Sequence, residues 1–145
     1  MPRPRIRSAL VAAACAGALT ASLAGSAGAA PGPQYSAKEV ARFLHHIYGK
    51  TGPTPWEREH QVSEDLKQRA EEAPPGFDLI MCTRNAPTDI DVGPVTTAQS
   101  AGVGWATVFL GWGPGQEIAA FTAYVDLNRS QPLQLLDVNC EPPEA

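Results

Sequence analysis

Residues 103–112, VGWATVFLGW, and 116–127, QEIAAFTAYVDL, decide the fold class, because the helical period of the chain before them is lost there: the second alternates with period two and the first is apolar on both parities. In the second stretch one parity carries Ala119, Phe121, Ala123, Val125 and Leu127, and the other Thr122, Tyr124 and Asp126. Successive side chains of a strand point to opposite faces, so this alternation predicts a half-buried strand. The first stretch is apolar on both parities, with Val103, Trp105 and Phe109 set against Val108, Leu110 and Trp112. That pattern predicts a central strand, or one covered by a second subunit. Trp105 and Trp112 fall on opposite parities, so in a strand without a bulge at most one of them faces the rest of the domain.

Turn chemistry brackets these stretches. Ser100-Ala101-Gly102, Gly113-Pro114-Gly115 and Asn128 to Pro132 divide 89–98, 103–112, 116–127 and 133–140 into successive antiparallel strands. Asp78 to Cys82 reads as one further short apolar strand. Upstream the period is helical. Val40, Phe43, Leu44, Ile47 and Tyr48 form one stripe behind a capping box opened by Ser36 and Glu39, and Gly49 closes it. Thr54-Pro55-Trp56-Glu57 repeats the box with proline at the first helical position, where its missing N–H costs nothing. The second helix so predicted runs to about Ala73, with a break near Gln61 to Ser63, and Pro74-Pro75-Gly76 ends it. Trp56 is assigned to the core. Helices first and an antiparallel meander after them define an α+β domain, two N-terminal helices packed on one sheet face.

The N-terminal end reads as an address. Arg3, Arg5 and Arg7 precede an Ala-rich apolar run, and Ala27-Gly28-Ala29 supplies a small-residue cleavage signal, so 1–29 is expected to be a secretory signal peptide. The alternative is a lipid anchor on Cys15, after Ala12-Ala13-Ala14. Residues 30–35 are expected to be a flexible leader, 36–140 a single domain and 141–145 a tail. Three of the 11 basic residues and none of the 15 acidic ones lie in 1–29, which leaves a balance of −7 beyond it. Such a chain is ill-suited to nucleic acid or an anionic membrane surface. Cys82 and Cys140 are then the only cysteine pair in an oxidising compartment, and a disulfide between them is expected.

The order of elements resembles the cystatin-like α+β roll of the nuclear-transport-factor-like superfamily, and more narrowly small secreted bacterial proteins. In these, a segment like Asp78-Leu79-Ile80-Met81-Cys82-Thr83-Arg84-Asn85-Ala86-Pro87 follows the helices, and the chain ends like Leu135-Leu136-Asp137-Val138-Asn139-Cys140. The resemblance implies a curved sheet and a range of uses, from enzymes and ligand carriers to binding modules without a pocket. Met81 to Arg84, followed by Ala86-Pro87, also resembles the reactive segment of subtilisin-inhibitor-like proteins. That resemblance implies Arg84 as the side chain offered to a protease, with Asn85 after the reactive bond. This chain lacks that family's second cysteine pair and carries helices where it begins with a strand.

Three functions follow, in order of preference. The first is a secreted binding or interaction module without catalysis, contacting an unknown small molecule or protein through Trp105, Trp112 or Tyr124, and capable of pairing as a homodimer through its sheet. The second is a serine-protease inhibitor presenting Arg84 on a disulfide-anchored loop. The third is a small-molecule enzyme using Asp126 or Asp137 as general base, with Tyr124 or Tyr48 as oxyanion donor. If 126 faces 133 across the last hairpin, Tyr124 lies opposite Leu135 and Asp137 opposite Thr122. His45 and His46 are adjacent on a helix and diverge by about 100°, so they do not chelate one ion, and His60 has no second helical pair. No metal or cofactor is implied.

Overall fold

A computed structural model of the chain describes residues 32–144; the expected signal peptide and Cys15 lie outside the described residues. Three helices, α1 (Ala37–Tyr48), α2 (Pro55–His60) and α3 (Glu64–Glu71), precede five strands. These are β1 (Asp89–Val92), β2 (Thr96–Ala98), β3 (Val103–Gly111), β4 (Ala119–Asp126) and β5 (Leu135–Asn139). All pairings are antiparallel, in the order β1-β3-β4-β5, with β2 continuing along the same edge of β3 as β1. The class is α+β, as the change of period predicts.

Local chemistry sets the helices. The Ser36 hydroxyl accepts from the Glu39 N–H while the Glu39 carboxylate accepts from the Ser36 N–H, and Thr54 and Glu57 do the same for α2. The predicted second helix is two helices. Val62, between the C-cap Gln61 and the N-cap Ser63, makes a parallel bridge to Leu135. Leu135 N–H donates to the Gln61 carbonyl at 2.7 Å, and Ser63 N–H to the Leu135 carbonyl at 2.8 Å. The break therefore satisfies backbone groups at the open edge of β5.

Three further expectations are corrected. Asp78 to Cys82 is a turn, not a strand: Asp78 and Thr83 form a single bridge, and the Asp78 carboxylate accepts from the Ile80 and Met81 N–H groups. Arg58 holds that carboxylate with two hydrogen bonds, at 3.0 and 2.6 Å. Periodicity over so short an apolar run does not separate a strand from a turn whose residues point inward, as Ile80 and Met81 do here. The segment 89–98 is split at Gly93-Pro94, since proline has no N–H for the ladder. The β4–β5 register also slips. Val125 pairs with Leu135 but Tyr124 with Asp137 and Thr122 with Asn139, leaving Leu136 as a bulge. Leu135 and Asp137 share a parity, so without the extra residue a core Leu135 would carry Asp137 into the core with it.

The core lies between the helices and one sheet face. Leu44, Ile47, Tyr48 and Leu66 meet Val108, Leu110, Phe121 and Val125, all fully shielded. Tyr48 packs edge-on against Phe121, with ring centroids 5.4 Å apart, and its hydroxyl donates to the Ile80 carbonyl. Burial holds that hydroxyl far above the usual phenol range, with the Asp78 charge adding to the shift.

Residues 33–35, expected to be part of a flexible leader, are tied to the domain. Tyr35 N–H donates to the Leu127 carbonyl, Arg129 N–H to the Pro33 carbonyl, and the Tyr35 hydroxyl to the Gln131 carbonyl. Arg129 stacks over the Tyr35 ring at 4.6 Å and reaches the Glu39 carboxylate. The Arg129 hydrogen bond first, and those from Ser36 after it, lower the Glu39 pKa from 4.5 to about 2. A depressed carboxylate contributes stability that is present above its unfolded value and is lost as pH falls toward its folded one. Glu39→Gln should therefore destabilise the protein slightly at neutral pH, because the pair is exposed and screened. The gap to wild type should close as pH drops from about 4.5 to about 2. Urea midpoints across that range check it, and a gap that widens with acid would contradict it.

Candidate functional site

Because strands alternate, burying Gly104, Ala106, Val108 and Leu110 of β3 under the helices turns Trp105, Thr107 and Phe109 to the opposite, outer face. The register then sets their neighbours. Trp105 lies opposite Tyr124, and Tyr124 opposite Asp137; Phe109 lies opposite Asp91 on one side and Ala120 on the other. The Trp105 and Tyr124 rings are 6.5 Å apart at the centroids, and Phe109 is 39 % exposed. The described helices reach this face at its β5 edge, where Arg69 of α3 is ion-paired with Asp137, and leave Trp105, Thr107 and Phe109 uncovered. Trp105 and Tyr124, named from sequence as contact residues, are thus brought together there. Trp112 lies apart from them: it packs against the core cluster, and its buried Nε1 has no hydrogen-bond partner.

Trp56, assigned to the core from sequence, is 60 % exposed and stacks on His60 at 4.7 Å. The short α2 carries no apolar stripe, and the residue it buries is Glu57, which pairs with His46 at 3.0 Å.

In the loop at 81–87, the residues Arg84 to Ala86 are exposed. Met81 is buried, and Arg84, though exposed, folds back. Its guanidinium donates to the Pro75 carbonyl at 3.2 Å and lies 5.7 Å from the centre of the Phe77 ring. Asn85 is exposed beside it, its N–H donating to the Thr83 hydroxyl. Cys82 is bonded to Cys140, as expected, with the two Cα atoms 5.2 Å apart. Thr83 and Asn85 face Trp112 and Gly115 to Glu117 across an open cleft of about 620 Å³. These are two motifs that sequence reading kept separate.

The acids weighed for catalysis are engaged. Asp126 accepts from the Asn128 N–H and from the Gln131 side chain, and Asp137 is ion-paired with Arg69. Tyr48 is spent inside the core, away from both. Among the described residues no three His, Cys, Asp or Glu side chains are grouped to hold a metal, and no helix is long and apolar enough to cross a membrane.

No family model, curated protein or solved structure matches this chain. Its functional reading rests on its own geometry.

Proposed function

We propose that this chain is a secreted, non-catalytic binding module of the cystatin-like roll type that contacts a macromolecular partner through its outer sheet face. The observation that supports it most is the row Phe109, Trp105 and Tyr124 on the part of the outer sheet face that no described helix covers. Aromatic side chains bring large contact area at low entropic cost and are enriched at interfaces. The Cys82–Cys140 bond supports export, because such bonds persist in oxidising compartments. The folded-back Arg84 and the engaged Asp126 and Asp137 rank the inhibitor and the enzyme below the module.

A photo-cross-linking residue placed at Thr107, at the centre of that face, tests this reading in the secreted proteins of the producing organism. The expected result is a discrete adduct from position 107 and none from position 56 on the helix side. Adducts from 56 alone, or from neither, would overturn it. Stoichiometric loss of trypsin activity, with cleavage only after Arg84, would make the protein an inhibitor instead.

A further inference from the structure

All charged residues in the five strands are aspartates, Asp89, Asp91, Asp126 and Asp137, and no lysine or arginine occurs between Arg84 and Arg129. Each of the four lies on the outer face by register, beside or across from Gly111, Phe109, Val103 and Tyr124. Asp126 and Asp137 have internal partners, Gln131 and Arg69. The side chains of Asp89 and Asp91 have neither a hydrogen bond nor an ion pair among the described residues, and both residues are exposed.

These two carboxylates stand two residues apart on one strand face and flank a hollow of about 240 Å³. Phe109 lies directly across from Asp91. Its ring rests against Gly93, where a Cβ would come within 3.5 Å of Cε2. Gly111, across from Asp89, leaves the space beside the ring open. Ile118, 72 % exposed, lines the same hollow. A ring edged by two free carboxylates and an aliphatic side chain matches one kind of group: a cation on an apolar stem.

Resting on the binding-module reading, we propose that the outer face docks a basic segment of a partner protein. One lysine or arginine of that segment lays its stem along Phe109 and Ile118 and places its head between Asp89 and Asp91. The charge of the face selects this occupant over a second copy of the chain. Two such faces would set aspartates against aspartates with no basic strand residue on either side, and like charges opposed across an interface are unfavourable.

The test is a titration of the purified protein with a short synthetic peptide of alternating arginine and glycine, followed by tryptophan fluorescence and by backbone amide shifts. Saturable binding should shift the amides of residues 89–91 and 105–109. Asp89→Asn with Asp91→Asn should weaken it about tenfold or more, the scale of two exposed charge contacts reinforced by a ring. Glu71→Gln with Glu72→Gln removes the same charge from the C-terminal end of α3 and the residue after it, and should leave the affinity unchanged. Equal weakening by both pairs would show diffuse attraction and overturn the site, as would no binding, or a dimer formed through this face. If the peptide fails while position 107 still cross-links a partner, the basic occupant is wrong and the module reading stands. If both fail, the module reading falls as well.

Discussion

Replacing Cys82 and Cys140 together by serine should lower the melting temperature by roughly 15 °C. The bond spans a sequence separation of 58 residues. Cross-linking so long a loop restricts the unfolded chain by ~4 kcal/mol in the chain-entropy model, and a domain of this size loses ~0.2 kcal/mol of stability per degree near its midpoint. The native side of the balance offsets about a quarter of this. Cys82 sits at φ 50°, in the left-handed region, which costs a residue with a Cβ about 1 kcal/mol or more. It occupies the end of the 78–83 turn, which has no strand partner and is fastened by Arg58, Asp78 and the bond to the residue following β5. With the bond gone, that turn should open first, seen as faster hydrogen exchange at Ile80 to Thr83 than in the rest of the core. Calorimetry of the oxidised and reduced protein is the direct check. Equal melting temperatures would mean that the turn and the sheet end hold each other without the sulfurs.

Phe121→Ala should cost about 4 kcal/mol, and Phe109→Ala, on the other face of the same sheet, about 0.5 kcal/mol or less. The residues differ in what surrounds them. Phe121 is 1 % exposed and packs edge-on against Tyr48, so truncation removes buried ring area and leaves a cavity between α1 and β4. Closing that cavity would require Tyr48 to move, and its hydroxyl is held by the Ile80 carbonyl. Phe109 leans on Gly93 at the sheet surface and is 39 % exposed, so its loss opens a groove to water and leaves no closed void. Urea midpoints of the two variants decide the matter. A large loss at Phe109 would show that the outer face is part of a core in solution, covered by a second copy or another segment, and would remove it as a free docking surface.

The features legible in the sequence are those whose causes are local. Ser36 with Glu39 and Thr54 with Glu57 announce two helix starts, because a hydroxyl and a carboxylate three residues apart satisfy the free N–H groups of a first turn. The parity split of 116–127 announces β4 and the burial of Phe121, Ala123 and Val125, although Thr122 on the other parity is buried as well. Sequence reading also placed Trp105 and Trp112 on different sides, and Trp105 proves to be the one on the open face.

What sequence missed depends on distant partners. The turn at 78–83 is shaped by Arg58, twenty residues upstream of Asp78. Val62 becomes a bridge residue only because Leu135 lies beside it. The hollow between Asp89, Asp91, Phe109 and Ile118 exists only once β1 is laid on the far half of β3; the one sequence signal for it was the absence of any basic residue from 85 to 128. The position of Asp137 needs the bulge at Leu136, which no turn residue or period foretells.

By itself, then, the sequence determined the α+β class, the first two helix N-caps, the antiparallel succession of the long strands and the cysteine pair, since each follows from interactions within a few residues or from counting thiols. Only the tertiary structure decided the β4–β5 register, the outward turn of Trp56, the folding back of Arg84 and the aspartate-edged aromatic face. The register and the face depend on which of several locally acceptable arrangements buries Leu135, Val125 and Phe121 without burying an aspartate, which is settled across the whole sheet at once, while Trp56 and Arg84 take their places from His60, Pro75 and Phe77.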